Sequence, residues 1–158
     1  MVEEEIKKEV KEFAILEKEY AKILLELSKK IKHKALSSIF ESLSKDSEKH
    51  ATLYETISEL LSNEQPFISE EDFWLIERTI NEHITTEAKM IEESRKILNN
   101  IKDPRVRLLA AIIYEDEEKH HKLLLTVKED IAKKETFSET DFWNMVWRDS
   151  PYHGAPGG

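Results

Sequence analysis

A chain of 158 residues is long enough to bury one sizeable core. It carries 33 Asp and Glu against 24 Lys and Arg, a formal charge of -9, which argues against nucleic acid or an anionic membrane as its main partner. It has no cysteine, which excludes disulfides, thiolate catalysis, iron–sulfur clusters and rubredoxin-type iron sites within it. Charged residues make up 36%, and five of the seven Gly and Pro lie at or after Pro151. This is the composition of an all-α protein. No apolar run approaches the ~20 residues of a membrane span. The start, MVEEEIKKEV, reads as a charged helix rather than a leader, so a cytoplasmic protein is the expectation.

The first predicted helix covers residues 2–32 and the second, after a short connection at His33 and Lys34, residues 35–62. A loop with Pro66 at residues 63–68 follows. Ser69, with Glu70, Glu71 and Asp72 behind it, has the form of a capping box opening helix three, which runs to Asn99. Asp103 caps helix four with Pro104 at its first position, and this helix reaches Lys134. A shorter fifth helix runs from Ser138 to Arg148 and leads into an irregular tail. Two parts are expected: residues 1–135 as a four-helix bundle of two hairpins, and residues 136–158 as a short helix with its tail.

Each long helix carries a stripe whose spacing alternates between three and four. Helix one has Val10, Phe13, Glu17, Tyr20, Leu24, Leu27 and Ile31; helix two has Leu36, Phe40, Leu43, Ser47, His50, Tyr54, Ile57 and Leu61. Helix three has Phe73, Ile76, Ile80, His83, Glu87, Met90, Ser94 and Ile97; helix four has Ala110, Ile113, Glu117, His120, Leu124, Val127 and Ile131. These read as core-facing seams, polar in the middle and apolar toward both ends. A charge buried without a partner costs several kcal/mol. Three glutamates on central seams therefore demand compensation, and divalent cations supply it most directly.

The two halves also repeat each other at an offset of 70 residues. Glu17 maps onto Glu87, His50 onto His120, Asp46 onto Asp116 and Ser47 onto Glu117. The spacing from Glu to His is 33 in both halves, and KDSEKHATL (45–53) echoes EDEEKHHKL (115–123). A further echo joins ISEEDFW (68–74) to FSETDFW (137–143). Each hairpin thus offers a Glu from its first helix and a histidine, with its neighbours, from its second.

These residues resemble the ferritin-like di-iron carboxylate superfamily, its rubrerythrin-like branch in particular, over residues 8–132. That signature is one Glu from each of two helices and Glu-x-x-His from each of the other two. Glu117 to His120 matches Glu-x-x-His in full, while helix two keeps His50 but has Ser47 at the Glu position. The resemblance implies a ferritin-like four-helix bundle with Glu17, His50, Glu87, Glu117 and His120 as metal ligands and Glu117 as bridging, catalytic carboxylate. It implies two iron ions, with Mn or Zn as alternatives. Asp46, solvent, or a single-metal centre would each accommodate Ser47. His83 is an extra ligand, a hydrogen-bond donor to the site or a core histidine. Tyr20 and Tyr54 are hydrogen-bond donors to the ligands, carriers of a transient radical or core residues, and Met90 is core. His121 is expected off the seam, and His33 and His153 at the surface.

The function so implied is a di-iron oxidoreductase reacting with peroxide or dioxygen in oxidative-stress defence. Without a rubredoxin-type site in this chain, its electrons would come from a separate donor protein. A homo-oligomer, a dimer, is expected. Iron oxidation and sequestration of the ferritin kind is the second reading, and a non-catalytic metal-binding or interaction bundle the third.

Overall fold

The structure is a computed structural model that describes all residues except 64–66, 133–138 and 157–158. Its elements are α1 (Val2–Lys30), α2 (Lys34–Ser62), α3 (Glu70–Asn100), α4 (Pro104–Ile131) and α5 (Glu139–Asp149). Among the described residues all regular structure is helical, as the composition requires. The expected turn at Pro66 and helix start at Ser138 fall outside the described residues.

The helix ends follow from local chemistry. Helix α1 stops two residues short of the expected end, with Ile31 extended at φ -81 and ψ 124. Helix α2 starts one residue early because His33 caps it: the Leu36 amide donates to His33 Nδ1 at 3.3 Å. Ser69 Oγ accepts from the Asp72 amide at 3.1 Å, so the serine cap forms as read. Asp103 Oδ1 accepts from the Arg105 amide at 2.9 Å, and Pro104 takes the first position of α4, where its missing N–H costs nothing.

Contacts group the chain into two compact units, Met1–Pro66 and Phe67–Gly158. In the first, α1 and α2 form an antiparallel hairpin. Its contact face is not the predicted seam. The buried residues are Val10, Ala14, Ala21 and Ser28 on α1, and Ser44, Ala51 and Ser58 on α2. Most are small and recur every seven residues, so one stripe of Ala and Ser lets the two backbones approach closely. Ser44 Oγ donates to the Ala21 carbonyl and Ser37 Oγ to the Ser28 carbonyl, each at 2.7 Å. The neighbouring seam residues Phe13, Tyr20, Leu27, Leu36, Leu43 and Ile57 are between 38% and 57% exposed. A two-helix hairpin can bury only one stripe, and here the small-residue stripe is the one buried.

The second unit combines the α3–α4 hairpin with α5. On α3 the buried residues are Phe73, Ile80 and Ser94. Its core is Phe73, Ile131, Phe142 and Val146, with Phe67, Ile68, Ile76 and Val127 packed against it. Phe67, Phe73 and Phe142 meet edge-to-face, with ring centroids 5.7 to 6.4 Å apart. The repeated Asp-Phe-Trp string therefore recurs in three dimensions: Phe73 and Phe142 are buried, Trp74 and Trp143 exposed. Thr126 Oγ1 reaches the Asp149 carbonyl at 2.9 Å and ties α4 to the end of α5. Met90, expected in the core, is 48% exposed, and Ile113 50%.

Two outcomes test this fold. Ala51 is 2% exposed, so Ala51→Leu overpacks the hairpin contact and should lower stability by about 1–3 kcal/mol in denaturant unfolding. The Arg105 side chain beside Asp103 holds that carboxyl down to about 2, against an ordinary 3.8. A depressed carboxyl stabilises the fold above its unfolded value and loses that contribution as pH falls through its folded one. Acid titration by circular dichroism should therefore show a component lost between pH 3.8 and about 2. Asp103→Asn, which can still cap but does not ionise, should remove it.

Candidate metal centre

In the first unit, Glu17 on α1 and His50 on α2 face each other across the hairpin, with His50 Nδ1 3.5 Å from Glu17 Oε1. Both line an open groove with Leu53, Tyr54 and Ile57. The Tyr54 ring packs on Phe13 at 5.8 Å between centroids. Asp46 and Ser47 are partly buried, and Asp46 Oδ1 is 3.5 Å from Lys49 Nζ. The carboxylate that could stand in for the absent Glu is thus directed at a lysine. Tyr20 is 57% exposed.

The second unit brings together Glu87, Glu117 and His120, each offering one ligand atom, all within 4.8 Å of one another. Glu87 occupies the heptad position between Ile80 and Ser94 on α3. Glu117 and His120, three residues apart, share a face of α4. Metal bonds to such donors are about 2.0–2.2 Å long, so donors on one ion lie within roughly 4.4 Å of each other. Small side-chain adjustments would close this set around an ion. Glu87 Oε2 is also buried without a hydrogen-bond partner, an orphan that a cation or a donor would satisfy. Donor types and spacing both fit a hard or borderline divalent metal.

His83, the expected auxiliary residue one turn before Glu87, is exposed and lies outside this cluster. Glu118 belongs to a surface pair. It lies 3.1 Å from Lys122 Nζ, and Lys122, then Tyr114, hold its carboxyl below the ordinary range by hydrogen bonding.

His121 lies off the seam of Glu117 and His120, on the side toward α3: its Nδ1 is 3.9 Å from Glu87 Oε2, and its side chain is 21% exposed. A signal for this was present in the internal repeat. Seventy residues earlier stands Ala51, a member of the buried stripe Ser44, Ala51, Ser58. The position therefore faces the partner helix within its hairpin, and the heptad of polar and apolar residues alone could not reveal it.

Compared with protein families, curated proteins and solved structures, the chain has no match.

A ligand that binds only the folded chain raises its melting temperature. Added Co2+ should therefore raise the melting temperature of the chelator-treated protein, and Glu87→Leu should abolish that response. An undiminished response in Glu87→Leu would remove Glu87 from the ligand set.

Proposed function

We propose that this chain is a ferritin-like, rubrerythrin-like di-metal carboxylate protein, with α1 to α4 as the four helices of its bundle and iron as the resident metal. The observation that carries this reading is the convergence of Glu87, Glu117 and His120, with one carboxylate oxygen of Glu87 buried. The pairing of Glu17 with His50 at the equivalent positions of the first hairpin supports it. On this reading the ligands are Glu17, His50, Glu87, Glu117 and His120. In a ferritin-like bundle, apolar side chains flanking such ligands are interior, as Phe13, Leu43 and Ile113 would be here.

The donors suit the chemistry. A carboxylate can bind through one oxygen or bridge with two, so Glu117 can follow a change in metal charge without moving its helix. Each histidine binds through one ring nitrogen and keeps the other for an orienting contact. Two ferrous ions, when bound, supply one electron each, enough with two protons to reduce hydrogen peroxide to two waters. The chain's own part is to hold the ligands, leave coordination positions open and limit water around them. An external protein would return the electrons.

The test is metal content and reactivity of the purified chain. Iron or cobalt binding should fall sharply on Glu117→Ala and His120→Ala, and also on Glu17→Ala, while Glu118→Ala should leave it unchanged. Equal binding in all four variants would remove the assignment. With iron bound and a reductant present, catalytic consumption of peroxide is the expected result. Rapid oxidation and retention of many irons per chain would instead mark iron storage, and absence of redox reactivity a structural metal site.

A further inference from the structure

We propose that His121 is the positioning residue of this centre, its Nδ1–H donating to Glu87 Oε2 and thereby fixing how Glu87 presents its carboxylate. The proposal rests on the metal-binding reading above. Three observations lead to it. Glu87 Oε2 and His121 Nδ1 are both buried, and neither has a hydrogen-bond partner. They lie 3.9 Å apart, one on α3 and one on α4. The position of His121 corresponds to Ala51 in the first half of the repeat, which faces α1 across its hairpin.

Two unpaired polar atoms buried side by side are each costly, and a movement of about one ångström brings them to hydrogen-bond distance. Among the described residues, nothing else is recorded in bonding distance of either atom. A carboxylate has two oxygens, so Glu87 can accept from His121 and still offer an electron pair to a metal. An N–H held against it removes rotational freedom that the carboxylate would otherwise lose on binding an ion. His121 touches one member of the cluster, Glu87, and is not among the three residues whose donor atoms all lie within 4.8 Å of one another. Two adjacent histidines thus divide the work: His120 is directed to the metal and His121 to the ligand opposite. The first hairpin has no counterpart, since Ala51 carries no donor.

The experiment uses the full chain and Co2+ as probe. By calorimetric titration, His121→Ala should weaken Co2+ binding by about 10- to 100-fold, and His121→Asn, whose amide N–H lies near the place of Nδ1, should recover most of that loss. In the metal-free chain, imidazole nitrogen NMR should find the His121 Nδ1 protonated, with a resonance that moves on Glu87→Ala and not on Glu118→Ala. Unchanged affinity in His121→Ala overturns the proposal, as does failure of Asn to rescue. A Co2+ absorption spectrum that loses a nitrogen ligand in His121→Ala also overturns it, by making His121 a ligand. If the unmutated chain takes up no Co2+, the metal reading itself fails and the positioning role with it. Normal uptake with indifferent His121 variants removes the positioning role alone.

Discussion

One turn of α3 sets the terms for the rest of the second unit. The heptad Phe73, Ile80, Glu87, Ser94 puts a carboxylate where its three companions are buried. Its Oε2 has no hydrogen-bond partner, and an unmet buried acceptor costs about 1–3 kcal/mol. The facing surface of α4 answers with Glu117, His120 and His121. Another carboxylate beside Glu87 worsens the electrostatics unless a cation is shared between them. The metal proposal rests on that juxtaposition and not on any count of acidic residues.

The two halves of the repeat have diverged in a consistent direction. Where the second hairpin has Glu117 and His121, the first has Ser47 and Ala51. The buried contact stripe of the first hairpin is accordingly small and regular, with Ala14, Ala21 and Ser28 against Ser44, Ala51 and Ser58. In the second, the positions matching Ala14, Ala21 and Ser28 are Ile84, Ile91 and Leu98, all partly buried. The first hairpin favours close helix packing and offers two donors. The second carries a larger donor set and a supporting group, at the cost of less regular packing.

Much of this was readable from the residue pattern, and the failures share a cause. Caps at Ser69 and Asp103 were legible because hydroxyl or carboxylate at that position has a specific backbone partner. The pairing of Glu17 with His50, and of Glu87 with Glu117 and His120, followed from matched spacing in two halves. The hairpin contact itself was not legible. Ala and Ser carry little hydropathy, so a stripe of them is invisible beside Phe13, Tyr20, Leu43 and Ile57, which drew the reading to the adjacent face. His121 was missed for the same reason, because it stands on the face that hydropathy does not mark. A search for heptads of small residues finds the stripe, and the 70-residue offset then places His121 on the face matching Ala51.

The site also lies where the second unit can hold it rigidly without crowding it. The aromatic core reaches Phe73 on α3 and Ile131 on α4. Glu87 and Glu117 are each fourteen residues from these anchors, roughly 21 Å along a helix. Because both distances are two heptads, the anchors and the ligands keep the same rotational phase on their helices. At the other end, Asp103 and Pro104 fix the start of α4, and Arg107 bonds the Leu98 and Ile101 carbonyls at the end of α3. The hairpin is thus clamped at both ends by interactions that have nothing to do with metal. Its middle can therefore carry polar groups that packing alone would reject, because the register of α3 against α4 is fixed at the two ends and does not depend on Glu87, Glu117 or His120.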